Sequence, residues 1–425
     1  MIKIIDISNA KTEDILTRDI KLESGVEEIV AGIIENVRKN GDSALLDYAE
    51  KFDGARPENL VVSDEEIEEA FASVPQALIE TIEEAKENIW EYHKHQVRDD
   101  FEINKGNGII LGQKITPIEK AGVYVPGGTA SYPSTVLMDV IPAKIAGVKE
   151  IVMTTPCGKN GKIAPAILAA AKIAGVTKII KSGGAQAVAA LAYGTESVPK
   201  VDKIVGPGNV FVATAKRMVF GMVDIDMIAG PSEILVLADN TCRAKDVAAD
   251  LLSQAEHDKL ASAVLVTDSE EFANEVSAEI ERQLPLLERA EIARASIDTN
   301  GKIIVAESIE SGIEIANIIA PEHLEVCVDK PFELLGKIKH AGSIFLGKNT
   351  PEALGDYLAG PNHTLPTSGT ARFSSALSVD DFVKKSQYLY YEKEALEKVK
   401  DKVVLFAETE GLTAHAQSAA IRFED

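Results

Sequence analysis

The sequence predicts an α/β protein with two sheet-containing domains, and three observations carry that expectation. Short apolar runs of strand length alternate with segments of helical length. That alternation comes in two successive stretches. A purely helical texture precedes the first of them. At 425 residues the chain has the length of two or three domains and ample material for their cores.

From "GVEEIVAGIIENVRKNGDSALLDYAEKFD" to "QALIETIEEAKENIWEYHKHQ", apolar residues recur at three- and four-residue spacing between charged faces, which is the amphipathic helical pattern. Ser63 and Glu66 in "VVSDEEIEEAF" have the spacing of a capping box. His93 and His95 fall in a charged helical end, where solvated imidazoles are expected. "AGVYVPGG" then reads as a strand closing on a turn, and "STVLMDVIPAKIAG" as a helix despite Pro142. "EIVMTTP", "KIIKSGG" and "VDKIVGPG" read as strands, with helices "IAPAILAAAKIAG", "AQAVAALAYG" and "NVFVATAKRMVFG" between and after them. A second series follows. Its strands are "EILVLAD", "SAVLVTD", "KIIVA", "LEVCV" and "SIFLG". Its helices end in "SQAEHD" or run through "SEEFANEVSAEIERQL", "SIESGIEIANII" and "PFELLGKIKH". Buried strands alternating with helices imply parallel sheets with right-handed crossovers. The pattern stops near "HTLPTSGTARFSS", and the remainder reads as mostly helical with a polar end.

Composition narrows the function. Lys plus Arg number 44 against 67 Asp plus Glu, a net charge of −23, with no basic stripe, so nucleic acid and anionic membrane are poor partners. The three cysteines, Cys157, Cys242 and Cys327, lie far apart and form no Cys-x-x-Cys pair, which suits a reducing compartment. "MIKIIDISNAKTED" lacks the apolar core of a signal peptide, and no apolar run spans a bilayer; a cytoplasmic protein is expected.

One helix stripe poses a chemical question. Val247, Ala248, Leu251 and Leu252 face one way, and the stripe continues into Gln254 and His257, an amide and an imidazole where further leucines would serve a core. Residues three apart project from neighbouring turns, so both can reach one ion, although helix-end Gln and His more often cap other groups. In "APEHLEV", Pro321 ends a helix at Ala320, and a strand begins about His323; Glu322 and His323 are thus an acid and an imidazole in a turn, a possible acid/base pair or a solvated turn. Asp356 precedes a Gly-Pro break, His363 sits in "GPNHTLP", and His415 lies in a small-residue tail. His340 ends a helix, where a cation complements the dipole. Gln254, His257, Asp356 and His415 together would offer two oxygen and two nitrogen donors, a set suited to zinc or manganese with room for substrate.

Seven stretches, "VYVPGGTASYPSTVLM", "KSGGAQAVAALAYGT", "DKIVGPGNVFVATAKR", "IDMIAGPSEILV", "LLSQAEHD", "APEHLE" and "AGPNHTLPTSGTARF", resemble the histidinol dehydrogenase family, and the resemblance covers nearly the whole chain. It implies two incomplete Rossmann-like parallel-sheet domains, one discontinuous, with small helical N- and C-terminal segments. The expected division is 1–20 as N-terminal segment, 21–118 with 235–372 as the first α/β domain, 119–234 as the second, and 373–425 as a helical tail swapped between the subunits of a homodimer. It implies oxidation of L-histidinol to L-histidine with two NAD+, the last step of histidine biosynthesis. It further implies Zn2+, one per subunit, held by Gln254, His257, Asp356 and His415, with Glu322 and His323 as the catalytic pair. Gln254, His257, Ser232, His323, Asp356, Glu410 and His415 would lie against substrate, His363 near it, and Tyr124, Gln186 and Asn209 against NAD. "GPGNVF" departs from G-x-G-x-x-G, with Phe211 in the last glycine's place, so a standard phosphate cradle is not expected.

These parts suggest a division of labour. His323, titrating near neutral pH, would take the alcohol proton, and Glu322 would activate the water that adds to the aldehyde. The competing readings are a zinc hydrolase, which lacks a His-Glu-x-x-His helix here, and a non-catalytic metabolite-binding protein.

Overall fold

The computed structural model describes residues 1–7, 25–127 and 131–424. Most of the N-terminal segment 1–20 therefore lies outside the described residues, as does 128–130 in the turn after "VYVPG". The described chain forms two compact units, one of 1–96 with 118–382 and one of 97–117 with 383–425.

The first unit holds two parallel sheets. In the five-stranded sheet, β4 (Lys120–Tyr124) lies between β5 (Glu150–Thr155) and β7 (Lys203–Val205), with β6 (Lys178–Lys181) and β8 (Asp224–Ile225) at the edges. The chain leaves β4 in one direction for β5 and β6, then returns to the other side for β7 and β8. The gap between β4 and β7 is therefore a topological switch point, where open α/β sheets commonly bind ligands beyond the strands' C-terminal ends. In the six-stranded sheet the order is β1 (Lys3–Asp6), β11 (Lys302–Val305), β10 (Ser262–Thr267), β9 (Glu233–Ala238), β12 (His323–Cys327), β13 (Ser343–Leu346), with its switch between β9 and β12. These central strands are buried on both faces, which explains their unbroken apolar runs.

The early helices form as expected. Val26–Tyr48, Asp64–Ser73 and Gln76–His93 bury one stripe each, and Ser63 makes the capping box with Glu66. Their buried faces, including Val30, Ile33, Ile82 and Ile89, join the cores built on the five-stranded sheet. The expected division had grouped 21–118 with 235–372 instead. His93 is buried, not solvated, with Nδ1 2.7 Å from Gln96 Oε1, and burial lowers its pKa; His95 is exposed. The helix Pro133–Ala146 accommodates Pro142. Proline cannot donate to the carbonyl four residues back, at Met138; the Asn362 amide donates to that oxygen instead, at 2.6 Å. "PFELLGKIKH" is helical only over Phe332–Leu335, so His340 ends no helix; its backbone N–H is held by Asn317.

The second unit corrects the helical tail. β14 (Val383–Tyr391) pairs antiparallel with β3 (Ile109–Pro117), which pairs with β2 (Phe101–Gly106), and the helices Lys400–Thr409 and Thr413–Ala420 follow. The tail's unit begins at Val383 and recruits 97–117, because Leu377 and Phe382 are buried in the core of the first unit.

Candidate active site

In the six-stranded sheet the polar residues gather at the N-terminal edge of the switch, opposite the edge where dinucleotides usually bind. Ser232 immediately precedes β9, His323 opens β12, and the helix Ala244–Ala255 returns across the sheet to bring its C-terminal turn to that edge. Gln254 is fully buried on that turn. His257 is not on the helical stripe, since the helix stops at Ala255. Its N–H bonds the Gln254 carbonyl, and its side chain is exposed on one side. The protein packed on its other side lowers its pKa, and Asp356 opposes that shift.

His323 is the hub. Its Nδ1 lies 3.0 Å from the Glu233 carbonyl, which can only accept, so Nδ1 carries the hydrogen and a neutral ring presents its lone pair at Nε2. Nε2 has no hydrogen-bond partner and sits 3.6 Å from Asp356 Oδ1 and 3.7 Å from Glu352 Oε1. Glu322 Oε2 accepts from the Glu233 N–H at 2.8 Å and lies 3.7 Å from His323 Nδ1. Burial pushes Glu322 up to about 8, with the charge of His323 opposing. Burial would depress His323, but the carboxylates of Glu352, Glu322 and Asp356 outweigh it and hold the imidazole well above its usual value. Asp356, on the short helix Glu352–Tyr357, is itself largely buried, which raises its pKa, yet His323, His363 and His257 outweigh that and keep it below the ordinary carboxylate range.

The sequence reading missed Glu352. Its Oε1 accepts from Gln254 Nε2 at 2.9 Å, and its backbone N–H donates to the fully buried Glu325 at 2.7 Å. Burial pushes it up to about 7. Glu325 shares its environment with Asp250, and burial raises both carboxyls. His323, Glu352 and Asp356 have ligand atoms within 4.8 Å of one another. A surplus of carboxylate beside buried imidazole and amide donors is the arrangement a divalent cation neutralises, and a cation would reverse these pKa preferences. The orphaned Gln254 Oε1 and His323 Nε2, both buried without partners, point the same way, so the residues fit a metal.

His363 is fastened from two elements. Its Nδ1 donates to the Asp356 carbonyl at 3.0 Å, and its Nε2 lies 3.2 Å from Thr135 Oγ1. Its neighbours tie to the same helix, Asn362 through Met138 and Thr364 through Asp139 at 2.8 Å. At the other switch point, Tyr124 ends β4 with its hydroxyl accepting from Gly184 N–H at 3.1 Å, and Gln186, two residues further along the same helix, is buried. Burial pushes Tyr124 up to about 12, with that hydrogen bond opposing. Asn209 caps the helix Val210–Val219, its Oδ1 accepting from Phe211 and Val212. Gly206 is required by close approach, since a Cβ there would lie 2.1 Å from the Tyr124 carbonyl. Asp53, also missed, has a buried Oδ2 without a partner, and burial pushes it up to about 6. Glu410 and His415 belong to the second unit, where both are exposed at the junction of its two last helices.

Parallel α/β sheets framing a buried acid–imidazole centre define an enzyme, and the class is narrowed by comparison with known proteins. The family model for histidinol dehydrogenase matches residues 16–423. The chain belongs to that family and is an oxidoreductase. It is 57% identical over 407 residues to the histidinol dehydrogenase of Clostridium acetobutylicum, covering 96% of this chain and 94% of that one. It is 52% identical to that of Lactococcus lactis over the full length of both. The crystal structure of histidinol dehydrogenase from Elizabethkingia anophelis superposes with a TM-score of 0.94 at 39% identity, covering 100% of this chain and 98% of that one.

Proposed function

We propose that the protein oxidises L-histidinol to L-histidine through L-histidinaldehyde, reducing two NAD+, as the last step of histidine biosynthesis in the cytoplasm. The observation that carries this reading, beside family membership, is the set of buried, unpartnered donors at His323 and Gln254. Gln254, His257 and Asp356, with His415 of the partner subunit, would hold one Zn2+, which when bound supplies a Lewis-acid anchor for the imidazole and amine of the substrate. Tyr124, Gln186 and Asn209 would line the bound NAD+, the hydride acceptor in both oxidations.

The chain's own residues handle the protons. His323 Nε2 takes the hydroxyl proton as the C–H hydride departs, leaving the aldehyde. Glu322 then takes a proton from the water whose oxygen adds to the aldehyde carbon, giving a diol, and loss of a second hydride and proton leaves the acid. Glu322 is placed for this role beside His323, with its Oε2 held by the Glu233 N–H. Ser232, His363 and Glu410 would orient the substrate. The homodimer is supported by the second unit's exposed Leu389, Leu405 and Phe406, which association would remove from water.

The test is anaerobic metal removal and re-addition while NADH is followed. Two NADH per histidinol, lost on chelation and restored by zinc, is the expected result; absent NADH formation by the zinc-loaded protein overturns the reading. Mixing dimers inactivated by His415→Asn with dimers inactivated by His323→Asn should restore activity after subunit exchange, and no recovery would refute the shared site.

A further inference from the structure

We infer that Glu352 is a positioning residue that fixes the side-chain amide of Gln254 so that its oxygen, and not its nitrogen, faces the metal. The inference rests on the zinc reading above but concerns a residue that reading leaves without a task.

The geometry is a relay of three buried groups. Glu325, in the middle of β12, accepts the Glu352 backbone N–H at 2.7 Å and so pins the first residue of the helix Glu352–Tyr357. Glu352 Oε1 in turn lies 2.9 Å from the Gln254 amide nitrogen. A carboxylate only accepts, so the group facing it must be the NH2 end of the amide. The oxygen end is then turned away, and that oxygen is buried with no hydrogen-bond partner. A buried carbonyl left without a hydrogen bond is unfavourable, and a metal ion facing it would satisfy it. Amide oxygen is a competent ligand for a divalent cation, whereas the amide nitrogen has no free lone pair to offer. Without Glu352 the amide loses that anchor, because its other close neighbour, His323 Nδ1 at 3.1 Å from the amide nitrogen, already donates its hydrogen to the Glu233 carbonyl.

Glu352 can also be imagined as a ligand itself, since its carboxylate lies among those of the cluster. The experiment separates the roles. Zinc affinity is measured by chelator competition on the purified full-length protein, with thermal melting as the control for folding. Glu352→Met keeps the length and removes the acceptor; it should weaken zinc by roughly 10–100-fold, the usual effect of losing a group that orients a ligand. Glu352→Gln keeps an acceptor oxygen and should hold zinc within about threefold of wild type, because orientation survives without the charge. In a Gln254→Ala background, Glu352→Met should weaken zinc by less than about twofold further, since coupled residues are not additive. Unchanged affinity in a folded Glu352→Met protein overturns the inference, as does a Gln variant as impaired as the Met variant, or full additivity with Gln254→Ala. A wild-type protein that binds no zinc overturns the underlying metal assignment as well, which distinguishes the two failures.

Discussion

The two sheets carry buried polar clusters at opposite edges, and the clusters differ in one respect. Beyond the C-terminal ends of β7 and β8, Lys216 pairs with Asp226 and donates to the Gly206 carbonyl at 2.9 Å, while Asp226 accepts from Gly206 N–H at 2.8 Å. Lys216 and Asp226 close on each other and on the turn that leads to Asn209. At the N-terminal edge of β9 and β12, Gln254 Oε1, His323 Nε2 and Glu352 Oε2 are buried and unpartnered. A satisfied buried network specifies a conformation, and an unsatisfied one waits for what completes it. The first is scaffold beneath the turn that leads to Asn209, and the second is where the proposed chemistry is placed. Substitutions in the two clusters should therefore fail differently.

The largest effect is expected at the unsatisfied edge. His323→Asn removes the candidate base and should slow turnover with histidinol by roughly two to four orders of magnitude while leaving the melting temperature near wild type. Turnover within a few-fold of wild type would place the base elsewhere. Lys216→Met is the mirror case. It strands Asp226 as a buried unpaired charge, which destabilises by about 3–5 kcal/mol in denaturant titrations. A change below about 1 kcal/mol would show that the Lys216–Asp226 pair is not the scaffold it resembles.

Asp139 sits between these extremes. It is fully buried, Thr364 Oγ1 donates to its Oδ1, and Oδ2 has no partner. Burial raises its carboxyl from 3.8 to about 8. The unfolded chain loses this proton near pH 4 while the folded protein keeps it until about pH 8, so the folded state binds more protons across that window. Stability from this group therefore falls as pH rises from 4 to 8. Asp139→Asn retains the bond from Thr364 and removes the titration. Its stability relative to wild type should rise between pH 5 and pH 8 by, at most, about a few kcal/mol. A difference that stays flat with pH would mean Asp139 is ionised in the folded protein.

What the sequence made legible follows from how local each signal is. The parallel strands were readable because burial on both faces leaves unbroken apolar runs. Gln254 stood out because an amide at the end of an apolar stripe breaks a local pattern. Its partner Glu352 did not, since it lies 98 residues away and reads in sequence as an ordinary acidic helix start. β14 was hidden for the opposite reason. "VKKSQYLYY" is exposed on nearly every residue, so no face imposes alternation, and only its pairing with β3 makes it a strand. The fate of His93 was equally non-local, because Gln96 and the surrounding core decide its burial.

The smallest effect tests whether a local signal can still bear on the scaffold. Ser63 Oγ accepts from Glu66 N–H at 3.2 Å, and Glu66 Oε2 accepts from Ser63 N–H at 3.1 Å. The other oxygen of Glu66 takes the ammonium of buried Lys181 at 2.6 Å, at the end of β6. Ser63→Ala removes one half of the cap and should lower stability by about 1 kcal/mol, with turnover unchanged. Glu66→Gln keeps the reciprocal bond to Ser63 but removes the charge facing Lys181. If the cap's worth is purely helical, Glu66→Gln should stay near wild type, since both cap bonds survive it. A larger loss in Glu66→Gln would show that this box, readable from four consecutive residues, serves mainly to present a counter-charge to the five-stranded sheet, placing it with the satisfied scaffold and not with helix capping alone.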